Sequence, residues 1–112
     1  MKTILVKDLF SSAFSESKAV ILREEIQKML SQEDSVVLDF TGITKYTTLF
    51  FNFSTGFFVS ILGPEEYDRK IQVRGLSDLG ESTYRSSYEN AIEKYSPEMH
   101  EEILNIIGNP QD

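Results

Sequence analysis

Two adjacent threonines, Thr47 and Thr48, an aspartate at position 39 and the single histidine, His100, are the side chains of this 112-residue chain whose settings could do chemistry. Thr47 and Thr48 open an expected helix, and unpaired backbone N–H groups at such a start, with the helix dipole, favour an added phosphate. Either could be a phosphorylation switch; either could equally be an ordinary N-cap. Thr44 and Tyr46, in the loop just before, are further docking candidates. Asp39 ends an expected strand, where α/β sheets place ligand-binding carboxylates, or it bonds to backbone amides of the next turn. No second acid is spaced to form a metal pair with it. His100, followed by Glu101 and Glu102, invites an acid–base reading. No nucleophile or third group lies near it in sequence, and its position points away from the apolar stripe of its expected helix. The glycines form neither a G-x-G-x-x-G nor a Walker pattern. The expectation is a protein that is not an enzyme, with no catalytic residue, no metal and no cofactor.

The totals narrow the class further. With 11 Lys and Arg against 18 Asp and Glu, the net charge of −7 repels nucleic acid and anionic membranes, and no basic run overrides it. Cysteine is absent, which excludes disulfides and thiolate chemistry and fits a reducing cytoplasm. The start of the chain does not read as a signal peptide. At this length, residues 1–112 are expected to form a single domain.

The elements that must position the candidates follow from periodicity. Thr3 to Asp8 reads as a strand, its consecutive Ile4, Leu5 and Val6 suiting cover on both faces. Phe10 to Phe14 is irregular, a short strand or a turn. Glu16 to Gln32 carries Ala19, Leu22, Ile26, Met29 and Leu30 on one helical stripe, with Ser15 or Ser17 as cap. Val36 to Phe40 is the clearest strand. Tyr46 to Pro64 is free of charge and holds five of the eight phenylalanines. From Thr48 to Leu62 it reads as one helix, with Leu49, Phe50, Phe53, Phe57 and Ile61 on one broad buried face, Phe51, Phe58 and Leu62 extending it, and Asn52, Thr55 and Gly56 as a narrow polar or small strip. It is too polar and too poor in aliphatic runs for a membrane span. Ile71 to Arg74 is a third strand, and Leu79 to Tyr95 a helix with Tyr84, Tyr88 and Tyr95 at the edge of the core, their hydroxyls reaching water. Mid-helix Asn52 and Asn90 call for tertiary partners. Ser96-Pro97 starts an extra C-terminal helix over 97–107. The order β-α-β-α-β-α-α implies an α/β fold, a small mixed or parallel sheet of three to four strands with helices packed on it.

Leu38-Asp39-Phe40-Thr41-Gly42-Ile43, then Tyr46-Thr47-Thr48 opening a helix, resembles the central strand and following helix of STAS domains (sulfate transporter and anti-sigma factor antagonist). The chain is most similar to the STAS-like family of unknown function, through Val36 and Leu38 to Phe40, Leu49 to Asn52, Val73 to Ser77, Glu89 to Ala91 and Tyr95. The resemblance covers about positions 3 to 95. It implies a regulatory protein–protein interaction module, docking through the start of the second helix and the Thr41 to Tyr46 loop and switching partners with an ATP-binding kinase-like protein. An alternative is a small-molecule or nucleotide sensor using the same loop. STAS antagonists open that helix with Asp-Ser-Ser-Gly, the first serine being phosphorylated; here Thr47-Thr48-Leu49-Phe50 lacks the acid and the glycine, while Thr48 keeps a hydroxyl at the matching place. The aromatic helix face also leaves room for a homodimer.

Overall fold

Three short strands form the sheet, and every described helix packs on one side of them. The computed structural model describes residues 2–95. Its elements are β1 (Lys2–Leu5), a 3₁₀ turn (Val6–Asp8), α1 (Glu16–Leu30), β2 (Val36–Asp39), α2 (Thr48–Phe53), α3 (Thr55–Leu62), α4 (Pro64–Lys70), β3 (Ile71–Arg74) and α5 (Asp78–Lys94). The strands form one parallel sheet in the order β1-β2-β3, with Ile4, Leu38 and Val73 in register and Thr3, Val37 and Gln72 in the next rank. The helix expected over 97–107, and His100 with it, lie outside the described residues.

The strand order explains the layering. Crossovers between parallel strands are almost always right-handed, so strands added successively in one direction send both connections over the same face. That face, with Ile4, Val36, Leu38 and Ile71, is buried in the core. The other face carries Thr3, Gln72 and Arg74, all exposed, and Leu5 at 41% exposure. Cover of β1 on both faces is therefore corrected: Leu5 points outward, and Val6 is buried because the chain leaves the strand there in a 3₁₀ turn. Val37 stays buried at the centre of the outer face.

The aromatic segment is not one helix. Ser54 adopts φ −115°, ψ −92°, outside helical values, and separates α2 from α3. Its hydroxyl donates to the Phe50 carbonyl at 2.9 Å, satisfying a group that the break frees. The break re-phases the apolar face. Phe50, Phe51, Phe58 and Val59 are buried, whereas Phe53 and Phe57 are only half-buried and Leu49 is exposed. Arg23 of α1 lies 4.6 Å from the Phe57 ring centroid, covering that ring with a cation. The strip read as polar and outward is also corrected in part. Thr55 and Gly56 are buried in the contact with α5, where a Cβ at position 56 would stand 3.0 Å from Ser87 Oγ and 2.9 Å from the Phe51 carbonyl oxygen. Small residues there let two helices approach closely. Asn52 remains at the rim of this seam and accepts a hydrogen bond from buried Ser87 at 2.7 Å.

α4 was not expected from periodicity, although its ends carry the usual signals. Pro64 occupies its first turn with Glu65 and Glu66, and Arg69 and Lys70 close it, each charge favourable at its end. Its one buried residue is Tyr67, which is 1% exposed.

Replacing Phe51, packed on every side, by alanine is expected to cost about 3–5 kcal/mol in urea denaturation, and Phe53→Ala roughly half of that or less. Equal losses at the two positions would contradict the break at Ser54.

Candidate functional site

The loop after β2 is built by three local devices. Asp39 Oδ1 accepts from the Thr41 amide at 2.9 Å, turning the chain, and Gly42 follows at φ +92°. Gly75, at φ +82°, brings the next loop so close that a Cβ there would lie 2.7 Å from Asp39 Oδ1 and 2.6 Å from the Thr41 amide. Arg74 Nε reaches Asp39 Oδ2 at 3.5 Å, from a side chain that is mostly exposed. The Thr41 hydrogen bonds first, then Arg74, hold the Asp39 carboxyl below its ordinary 3.8, against a smaller opposing effect of desolvation. Both its oxygens thus have partners inside the fold.

Tyr46 is buried and serves as the anchor of the loop. Its hydroxyl donates to the Ile43 carbonyl at 2.7 Å, and its ring stacks on Phe51 with centroids 5.9 Å apart and planes 11° from parallel. Gly80 at the start of α5 lies against the same ring, where a Cβ would come within 2.8 Å. Burial pushes the Tyr46 phenol up, with Ser77 pulling partly back. The backbone beside it forms an isolated parallel bridge with Ala13, whose amide donates to the Lys45 carbonyl at 2.9 Å and whose carbonyl accepts from the Thr47 amide at 3.0 Å. The irregular segment from Phe10 to Phe14 thereby acts as a strap across the loop.

Thr47 is the N-cap of α2. Its Oγ1 accepts from the Phe50 amide at 3.0 Å and donates to the Phe14 carbonyl at 2.7 Å. Thr48, one residue on, is half-buried, and its hydroxyl makes no hydrogen bond among the described residues. Thr44 and Lys45 are exposed. The structure thus divides the candidates: Tyr46, Thr47 and Asp39 hold the loop in place, while Thr44 is exposed and Thr48 is half-buried with its hydroxyl unbonded among the described residues.

Three large apolar side chains border this edge without being buried. They are Phe14 at 55% exposure, Leu49 at 47% and Leu79 at 61%. Phe14 is tied to Thr47 through its carbonyl, Leu49 is two residues past the cap, and Leu79 adjoins the Gly80 that rests on Tyr46. Sequence periodicity had assigned Leu49 to the buried face and had given Phe14 and Leu79 no role. The Ala13 bridge that sets the place of Phe14 has no periodic signature.

The hydroxyls of Tyr84 and Tyr88, at the edge of the core, also have partners within the fold. Tyr84 and buried Tyr67 share a hydrogen bond at 2.9 Å, and the Tyr88 hydroxyl donates to Asp68 at 3.0 and 3.3 Å. Among the described residues, no group of three or more His, Asp or Glu could hold a metal ion, and no helix is long and apolar enough to cross a membrane.

An open three-stranded parallel sheet with its helices on one side, and a pinned loop leading into the helix after the central strand, define a small α/β domain of STAS-like design. Residues 18–81 match the family model described as a STAS-like domain of unknown function, and the chain belongs to that family. Comparison with curated proteins found no match, and neither did comparison with solved structures.

Two outcomes follow from this geometry. Because folding lowers the Asp39 pKa, its stabilising effect is present above the unfolded value and is lost as pH falls through the folded one. Wild type should melt higher than Asp39→Asn at neutral pH, with the gap closing below about pH 4; a gap independent of pH would refute the charge contribution. Thr47→Val removes the cap and the tie to Phe14 together and should cost about 1–2 kcal/mol in chemical denaturation, a neutral result contradicting the cap.

Proposed function

We propose that this domain is a non-enzymatic regulatory module that docks another protein at the edge formed by the Thr41 to Thr48 loop, Phe14, Leu49 and Leu79. The observation that carries the reading is the co-location of three exposed apolar side chains with a loop held rigid by Tyr46, Thr47 and Asp39. An apolar patch on a preorganised frame binds with little ordering cost, and such patches on soluble domains mark interaction sites. Membership of a STAS-like family supports the same edge, because antagonists of the STAS class dock through the start of this helix. By that analogy the partner is an ATP-binding, kinase-like protein, and docking would be exchanged between partners.

Thr48 is the residue through which such an exchange would be controlled. It is the unbonded hydroxyl next to Leu49, and a phosphate there would put charge into an apolar contact at a desolvation cost. α2 has only six residues, so its dipole offers little to hold the added charge.

The experiment is a tagged pull-down at native level followed by affinity measurement with the recovered protein. Thr48→Glu should keep its melting temperature and lose at least tenfold in affinity, about 1.4 kcal/mol or more. Thr48→Ala should keep the partner. Wild-type affinity in Thr48→Glu, or no partner recovered with the parent, would overturn the reading.

A further inference from the structure

Away from the docking loop, α4 and α5 flank an open surface cavity of about 260 Å³ lined by Asp68, Glu81, Tyr84, Arg85 and Tyr88. Its size is just below the range of drug-sized pockets, which suits a small metabolite. Two tyrosine rings, 6.2 Å apart between centroids and tilted by 42°, form an aromatic wall. The wall is built from beneath: the Tyr84 hydroxyl is hydrogen-bonded to Tyr67, and the Tyr67 ring packs edge-on against Tyr88 at 5.7 Å. Tyr88 in turn holds the Asp68 carboxylate. Desolvation, then the Asp68 hydrogen bond, pushes the Tyr88 phenol up to about 12, so it remains a donor throughout the neutral range.

The charges around this wall are exposed to solvent and take part in no ion pair among the described residues. Glu81 and Arg85 stand one helical turn apart on α5, a spacing at which opposite charges often pair, yet they form no ion pair with each other or with any described residue. Asp68 likewise meets only the Tyr88 hydroxyl. The cavity therefore presents two carboxylates and one guanidinium beside two aromatic faces. Two carboxylates repel phosphates, which argues against a nucleotide. A ligand matched charge for charge has two cationic groups, one carboxylate and an aliphatic stem to lie on the rings.

We propose that the α4–α5 cavity binds a free basic amino acid, its two cationic groups meeting Asp68 and Glu81, its carboxylate meeting Arg85, and its stem lying along Tyr84 and Tyr88. Arg85 reads the carboxylate, which distinguishes the free amino acid from an amine or from a basic side chain within a protein. This site is separate from the docking edge, and its test does not depend on a protein partner.

The test is an NMR titration of the ¹⁵N-labelled full chain with three probes: L-arginine, agmatine, which lacks the carboxylate, and N-acetyl-L-argininamide, which mimics an arginine inside a chain. L-Arginine should give saturable shifts confined to the amides around Asp68 and from Glu81 to Tyr88, and should bind more tightly than either other probe. Arg85→Ala should weaken L-arginine about five- to tenfold while leaving agmatine unchanged, the scale expected of one charge-assisted contact. That split separates recognition from damage to the fold, as Arg85 is exposed. The proposal is overturned by an absence of saturable shifts at tens of millimolar L-arginine. It is equally overturned if Arg85→Ala weakens both probes alike, or if N-acetyl-L-argininamide binds as well as the free amino acid.

Discussion

The stacking of Tyr46 on Phe51 is the contact on which the remaining architecture depends. These rings join a cluster in which Phe40 meets Phe50, Phe51 and Tyr46, and Phe51 meets Tyr84. The cluster therefore ties the end of β2, the start of α2 and the middle of α5 into one unit. Because Tyr46 is buried with its hydroxyl on the Ile43 carbonyl, the loop from Thr41 to Thr47 is anchored to the core. Offset and edge-on aromatic pairs each contribute about 0.5–1.5 kcal/mol beyond area burial, so losing one ring here weakens several pairs together.

The one-sided sheet adds a second constraint. Parallel sheets are usually covered on both faces, and this one is not covered on its outer face by any described element. Among the described residues the core is accordingly supplied by helices on one side alone, and the close seam between α3 and α5 through Gly56 and Ser87 is how two of them fit over three strands. The tyrosine network of α4 and α5 closes the far end of the same layer, with Tyr67 the buried member that both Tyr84 and Tyr88 lean on.

Much of this was legible in the residues, for identifiable reasons. Val36 to Asp39 is a run with no alternative to a buried strand, and Ser15 caps its helix as a side chain able to accept from the N3 amide does. Membership of the STAS-like family was readable from the order of short motifs. The misplaced face of the aromatic segment has an equally physical cause: a helical wheel assumes continuous phase, and one non-helical residue at Ser54 rotates everything after it. α4 went unrecognised because seven residues with a single buried tyrosine carry too little periodicity to register. At the loop, residue type alone did not separate Thr47 from Thr48. Only the approach of Phe14, thirty-three positions away in sequence, shows which hydroxyl is occupied.

The central claim is that a rigid loop displays an apolar edge for a protein partner. Amide hydrogen exchange of the chain, free and in complex with the protein it co-purifies with, addresses that claim residue by residue. Free, the loop amides bonded to Asp39, Lys45 and Ala13 should already exchange slowly. In the complex, added protection should be confined to the segments around Phe14, Thr44 to Phe50 and Leu79. Protection falling instead on the outer face of the sheet, around Leu5 and Gln72, with the α2 edge unchanged, would contradict the account.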